Sequence, residues 1–120
     1  MKKIKTFKSP RYFKIWAYTA SHSTVIIRSE KQYEDLDYSI KYFDSNITLD
    51  LEFSGVEFFS IPQNFEGIEI QKNGDKFIFN SNENWFLKAE SCIIGKSHWN
   101  HDEDVVSDLT LRYNEIELIE

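Results

Sequence analysis

The sequence predicts a mostly-β fold, an antiparallel β-sandwich or barrel of about eight short strands, with room for one short helix after Ser29. Three observations carry that reading. Ile47, Leu49, Leu51 and Phe53 alternate with Thr48, Asp50 and Glu52, and a period of two marks a half-buried strand. Asn73-Gly74-Asp75 lies between two apolar runs, and Asn and Gly take positive φ cheaply, as a hairpin turn needs. The aromatic share is 16%, with ten Phe, six Tyr and three Trp, so large buried area per side chain allows a compact core without staples.

Taken in order, residues 1–10 read as a basic lead-in ending at Pro10, the start of a single globular domain spanning 1–120. Arg11–Tyr18 reads as a strand with Phe13, Ile15 and Ala17 on one face and Tyr12, Trp16 and Tyr18 on the other. Thr19–Ser23 is turn-like and Thr24–Ser29 is a β-branched strand, so the pair makes a hairpin. Ser29-Glu30-Lys31-Gln32 matches a capping box, with Tyr33, Leu36, Ile40 and Phe43 following at helical spacing. A short helix over Glu30–Tyr42 competes there with an ordered loop, because the aspartates and Ser39 weaken it.

Asn46–Pro62 is expected to form a central hairpin. Ser54-Gly55 breaks the first strand, Val56–Ile61 resumes as a second, and Pro62 ends it because proline cannot donate a ladder bond. Gly67–Lys72 and Lys76–Asn80 flank the Asn73-Gly74-Asp75 turn. Trp85–Ile94 reads as one strand and Gly95–Asp104 as a polar loop. Residues 105–120 fit either helix or strand, and the Thr and Tyr within Asp108–Tyr113 favour strand.

The net charge of −6 conceals an asymmetry. The first 29 residues carry seven basic side chains and no acid, while all twenty acids lie beyond them. Two readings follow: basic strands pairing with acidic ones across the sheet, or a basic arm for phosphate or an acidic partner. The acidic body argues against nucleic acid. No apolar run is long enough to cross a bilayer as a helix. The basic start lacks the apolar stretch of a signal peptide, and Cys92 is the only cysteine, so a cytoplasmic setting is expected.

Few residues spell a reaction. His98, His101 and Asp102 are weak metal candidates, since their spacing is not diagnostic of a zinc or other divalent site. Ser21-His22-Ser23 lacks the elbow that arms a nucleophilic serine, and Cys92 reads as a small buried hydrophobe in a strand. Phosphate loops and dinucleotide fingerprints are absent, so no cofactor is expected. Partner-binding candidates are Tyr12, Trp16 and Tyr18 on one strand face, and Trp99 with Asp102, Glu103 and Asp104 in the polar loop. Trp and Tyr bury much area at small entropic cost, and nothing within Asn100–Asp104 shields Trp99.

These readings favour a non-enzymatic protein-interaction module, in its concrete form an immunity-type protein that neutralises a basic toxin with acidic residues and aromatic anchors. The alternatives are a small-molecule-binding β-barrel or small enzyme with a carboxylate or histidine site, and a homo-oligomer joined at a sheet edge.

Overall fold

A computed structural model describes residues 2–31, 46–100, 102–105, 108 and 110–120. Its strands are β1 (Lys2–Ile4), β2 (Thr6–Thr19), β3 (Thr24–Ser29), β4 (Thr48–Ser54), β5 (Phe58–Ser60), β6 (Asn64–Asn73), β7 (Lys76–Phe79), β8 (Asn82–Lys88), β9 (Ser91–Ser97) and β10 (Glu115–Ile119). They form one sheet in the order β1-β10-β9-β4-β3-β2-β6-β7-β8-β5. β1 and β10 run parallel, and the other pairings are antiparallel.

The mostly-β expectation holds, and the form is sandwich-like without barrel closure. β2 is the strand about which the sheet folds. Its first half, Thr6–Lys14, pairs with β6, and its second half, Lys14–Thr19, pairs with β3. The two halves of the sheet then close face to face. Phe53 on β4 meets Phe77 and Phe79 on β7 at 5.4 and 5.8 Å between ring centres, although β3, β2 and β6 lie between them in the sheet. Phe65 stacks on Phe79 at 5.3 Å, and Val25, Ile27, Leu51, Ile70 and Ile94 fill the space between the halves. The Ile47–Phe53 alternation was therefore informative: Leu49, Leu51 and Phe53 all enter this inner core.

The β2–β3 hairpin forms as expected, closed by a tight helical turn at Ala20–His22. The turn between β6 and β7 also forms, with Gly74 at φ 66°. Five expectations need correction. The central hairpin does not exist, because β4 is already flanked by β3 and β9. The chain instead crosses at Gly55, where Val56 N–H donates to the Ser23 carbonyl at 2.8 Å, and β5 pairs with β8 at the far end of the sheet. Trp85–Ile94 is two strands, not one. Ala89 and Glu90 carry the chain from one half of the sheet to the other, donating to the carbonyls of Asp75 and Ser54.

The basic start is not a lead-in: Lys2–Ile4 is β1 and residues 6–10 belong to β2. In Asp108–Tyr113 the Asp108 side chain accepts from the amide and hydroxyl of Thr110, which favours a turn over a strand, and β10 begins only at Glu115. The fifth correction concerns β2 itself, where a bulge between Ile15 and Ala17 reverses the alternation. Tyr12 therefore faces outward with Glu66, whereas Tyr18 sits opposite Val25 on the inner side. The expected helix over Glu30–Tyr42 lies, beyond Lys31, outside the described residues.

Part of the charge asymmetry is taken up in ion pairs along the sheet, of which Lys8–Glu69 joins β2 to β6. Lys3 meets Glu120 at 3.5 Å, Lys8 meets Glu69 at 4.0 Å, and Lys14 meets Glu30 at 3.8 Å. Arg11 is buried and donates to Ser29 Oγ and to the carbonyls of Ser29, Glu30 and Ile47. It ties the end of β3 to the start of β4.

Candidate functional site

The outer face of β3, β4 and β9 is where the sequence reading and the structure differ most. Arg28, Asp50 and Gly95 face outward in register across these strands, as do Ile26, Glu52 and Ile93. Such a face should be wet. Instead, Trp99 and Tyr113 lie over it. Thr48 Oγ1 donates to the Trp99 carbonyl at 3.0 Å, the Trp99 ring stacks on Tyr113 at 4.9 Å, and Tyr113 lies against Gly95.

Beneath this cover Arg28 and Asp50 form a bidentate ion pair, with Nε–Oδ1 2.6 Å and Nη2–Oδ2 2.9 Å. Their side chains expose 0% and 1%, so neither charge is shared with water. The guanidinium also lies 4.6 Å from the centre of the Trp16 ring and 5.9 Å from that of Trp99, within cation–π range of both. The Tyr113 hydroxyl lies 3.2 Å from both Asp50 Oδ2 and Glu52 Oε2 and donates its one hydrogen between them. Burial, then the neighbouring Asp50 and Glu52 carboxylates, push the Tyr113 hydroxyl far above its ordinary range, so it remains a neutral donor.

Glu52 is the weakly satisfied member. Burial raises its pKa from the ordinary 4.5, Tyr113 opposes that rise, and the Asp50 charge adds to it. The folded protein thus holds a proton on Glu52 more tightly than the unfolded chain does. Ionised Glu52 weakens the fold near neutrality, and the penalty fades as pH falls through the folded value toward 4.5. Glu52→Gln is accordingly expected to raise Tm near neutral pH by a few degrees. That gain should vanish at about pH 4, where both states carry the proton. Thermal unfolding followed at both pH values checks this, and a gain independent of pH would contradict it.

Glu52 and Tyr113 also line a cleft of about 540 Å³ whose walls are Ile93, Val105, Leu111 and Ile116, with Arg112 at its exposed end. A second surface lies at the opposite end of the sheet. β5 is an end strand paired only with β8, and consecutive Phe58 and Phe59 point to opposite faces of it. Phe58 packs against Phe86 at 5.6 Å on one face, and Phe59 meets Tyr18 at 5.4 Å on the other. Phe58 and Tyr18 nonetheless remain 55% and 54% exposed, more than any other large hydrophobic among the described residues.

The residues singled out from sequence scatter. Trp99 is 8% exposed, against the expectation of an exposed anchor, because Tyr113 covers it from fourteen positions along the chain. Trp16 is half-buried and its indole N–H donates to Asp104 Oδ2 at 3.3 Å. Glu103 accepts from the Asn100 amide at 3.1 Å, which leaves Asp102 as the exposed acid of the three. Tyr12 is 39% exposed, on the opposite face from Tyr18. His98 is exposed with Nδ1 3.3 Å from the Asn46 carbonyl, and His101 lies outside the described residues. Among the described residues no group of three or more His, Cys, Asp or Glu is placed to hold a metal ion. Cys92 faces the inner core, where burial pushes its thiol well above the usual range and makes it a poor nucleophile.

Sequence reasoning passed over Arg28, Glu52, Tyr113, Phe58 and Phe86. Two signals were present: an arginine closing the apolar run Val25-Ile26-Ile27, and adjacent phenylalanines in a short strand. Among the described residues no helix is long and apolar enough to cross a membrane. Comparison with protein-family models, curated proteins and solved structures returns no match, so function rests on the geometry of these two surfaces.

Proposed function

We propose that this protein works by binding another protein, and that the β5 edge with its aromatic rings is the contact surface. The observation that carries this reading is the exposure of Phe58 and Tyr18 on and beside an end strand. Large rings that bury area at small entropic cost are favoured interface anchors. An end strand offers unpaired backbone groups to an incoming extended segment, which can add as a further strand. Because β5 carries an aromatic pair on each face, a segment seated beside it would find rings above and below.

Charge supports a basic partner. Lys3, Lys8, Lys14, Arg28, Lys88 and Lys96 are engaged with carboxylates of the same chain, while the net charge is −6. The surplus of acid would steer a basic protein toward the surface and reject acidic ones. Neutralisation of a basic toxin is the concrete form of this reading.

Capture from native lysate tests it when the wild type is compared with two double variants, Tyr18→Lys with Phe58→Lys and Asp102→Lys with Glu103→Lys. Thermal unfolding of both variants alongside the wild type separates loss of contact from loss of fold, since Phe58, Tyr18 and Glu103 each make a contact within the chain. The aromatic pair of changes is expected to abolish capture of a basic protein, and the acidic pair to weaken it in a salt-dependent way. Capture that survives the aromatic changes and fails with the acidic ones would move the contact surface to the loop at Asp102. Sedimentation of the wild type identifies the remaining occupant: a dimer dissolved by Phe58→Lys would make the partner a second copy.

A further inference from the structure

The outer-face cleft is independent of the β5 edge, and its chemistry is different. We propose that it binds a small organic monocation, an ammonium group on an apolar body, with Glu52 as the counter-charge. The argument begins with what Glu52 lacks. Arg28 is a buried cation on the same face, and its Nε and Nη2 donate to Asp50 at 2.6 and 2.9 Å, not to Glu52. Tyr113 has one hydroxyl hydrogen, and it is divided between Asp50 and Glu52 at 3.2 Å each. No lysine or arginine among the described residues pairs with Glu52. A part-buried carboxylate with half a hydrogen bond and no cation is costly to the fold.

The space beside it fits the missing group. The cleft measures about 540 Å³, within the range of small-molecule sites. Ile93, Leu111 and Ile116 supply apolar wall, and the Tyr113 ring and the Glu52 carboxylate form a polar end. A ligand with one positive head and a short apolar body would satisfy both halves. A neutral ligand would leave Glu52 unpaired, and an anion would be repelled by it.

A metal ion fits poorly. Divalent cations need several oxygen ligands, and Asp50, the neighbouring carboxylate, is already engaged by Arg28. Arg112 lines the exposed end and donates to the Leu111 carbonyl at 2.7 Å. Arg112 is exposed, and its positive charge disfavours ligands with more than one positive charge.

Calorimetric titration with hexylammonium, hexanol and hexanoate tests the assignment on the full chain. Hexylammonium is expected to bind at least about tenfold more tightly than hexanol, and hexanoate not at all. Glu52→Gln keeps the shape of the side chain and an acceptor for Tyr113. It should bring hexylammonium down to the hexanol level while hexanol binding stays unchanged. Arg112→Gln should tighten hexylammonium several-fold at low salt. Equal affinity for the amine and the alcohol in the wild type would overturn the proposal, as would no effect of Glu52→Gln. Weaker amine binding in Arg112→Gln would show that the cleft reads a negative group and would overturn it too. Capture of a protein at the β5 edge has no bearing on any of these results.

Discussion

Asp50→Ala is expected to destabilise the protein by about 3–5 kcal/mol, because it takes a bidentate carboxylate away from a guanidinium buried from solvent. The Arg28 side chain exposes 0% of its surface, and Asp50 supplies two charge-assisted bonds at 2.6 and 2.9 Å. The Trp16 and Trp99 rings attract the cation but accept no comparable hydrogen bond. Tyr113 would lose one of its two acceptors and turn wholly to Glu52. Urea unfolding measures the loss through the midpoint at unchanged slope. A cost below about 1 kcal/mol would mean that solvent reaches Arg28 and that the cover is not closed.

The same pair permits a sharper test. A buried ion pair costs about as much to desolvate as it returns, so replacing both partners with apolar groups is often neutral or better. Arg28→Met with Asp50→Leu is therefore expected to recover most of what Asp50→Ala alone loses. If the double replacement is as unstable as the single one, the damage arises from lost packing against Trp16 and Trp99 and not from charge. The indole environment separates the two explanations, since quenching and near-UV signals of Trp16 and Trp99 should recover in the double variant only in the first.

The fold was legible wherever a strand's neighbours are close in sequence or its alternation is unbroken. Leu49, Leu51 and Phe53 showed the inner face of β4, and Gly74 marked the turn into β7. Topology was not legible, because pairing across the sheet is nonlocal. Nothing in Val56–Ile61 says that its partner is β8 and not β4. One signal could have been read. Inward positions run odd through Leu87 and Ala89, then even at Cys92 and Ile94, and that change of parity marks the break between β8 and β9. The bulge before Ala17 separated Tyr18 from Tyr12 in the same way.

The outer-face network was illegible for a different reason. Asp50 and Glu52 were read as the wet side of β4, as polar residues in alternation usually are. Their cover comes from Trp99 and Tyr113, some fifty to sixty positions away, and only the assembled fold brings them together.

Gly95→Ala isolates that cover, and it is expected to destabilise by about 1–3 kcal/mol where strand propensity alone would favour it. Gly95 does not need its glycine for backbone reasons, since its φ is outside the left-handed region. The constraint is spatial. A Cβ at this position would lie 2.5 Å from Cγ and Cε1 of Tyr113, a separation that forces the ring away. A displaced ring leaves Trp99 without its stacking partner and takes the hydroxyl from Asp50 and Glu52 together. A ring-free partner should remove the clash. In a double-mutant cycle, Tyr113→Ala is expected to be costly alone, yet adding Gly95→Ala to it should cost close to nothing. Additive costs would mean that Gly95 is small for some reason other than the ring above it. Sub-additive costs would locate the closure of the outer face in one contact, the tyrosine ring laid over a glycine beside a buried aspartate, a part-buried glutamate and a tryptophan.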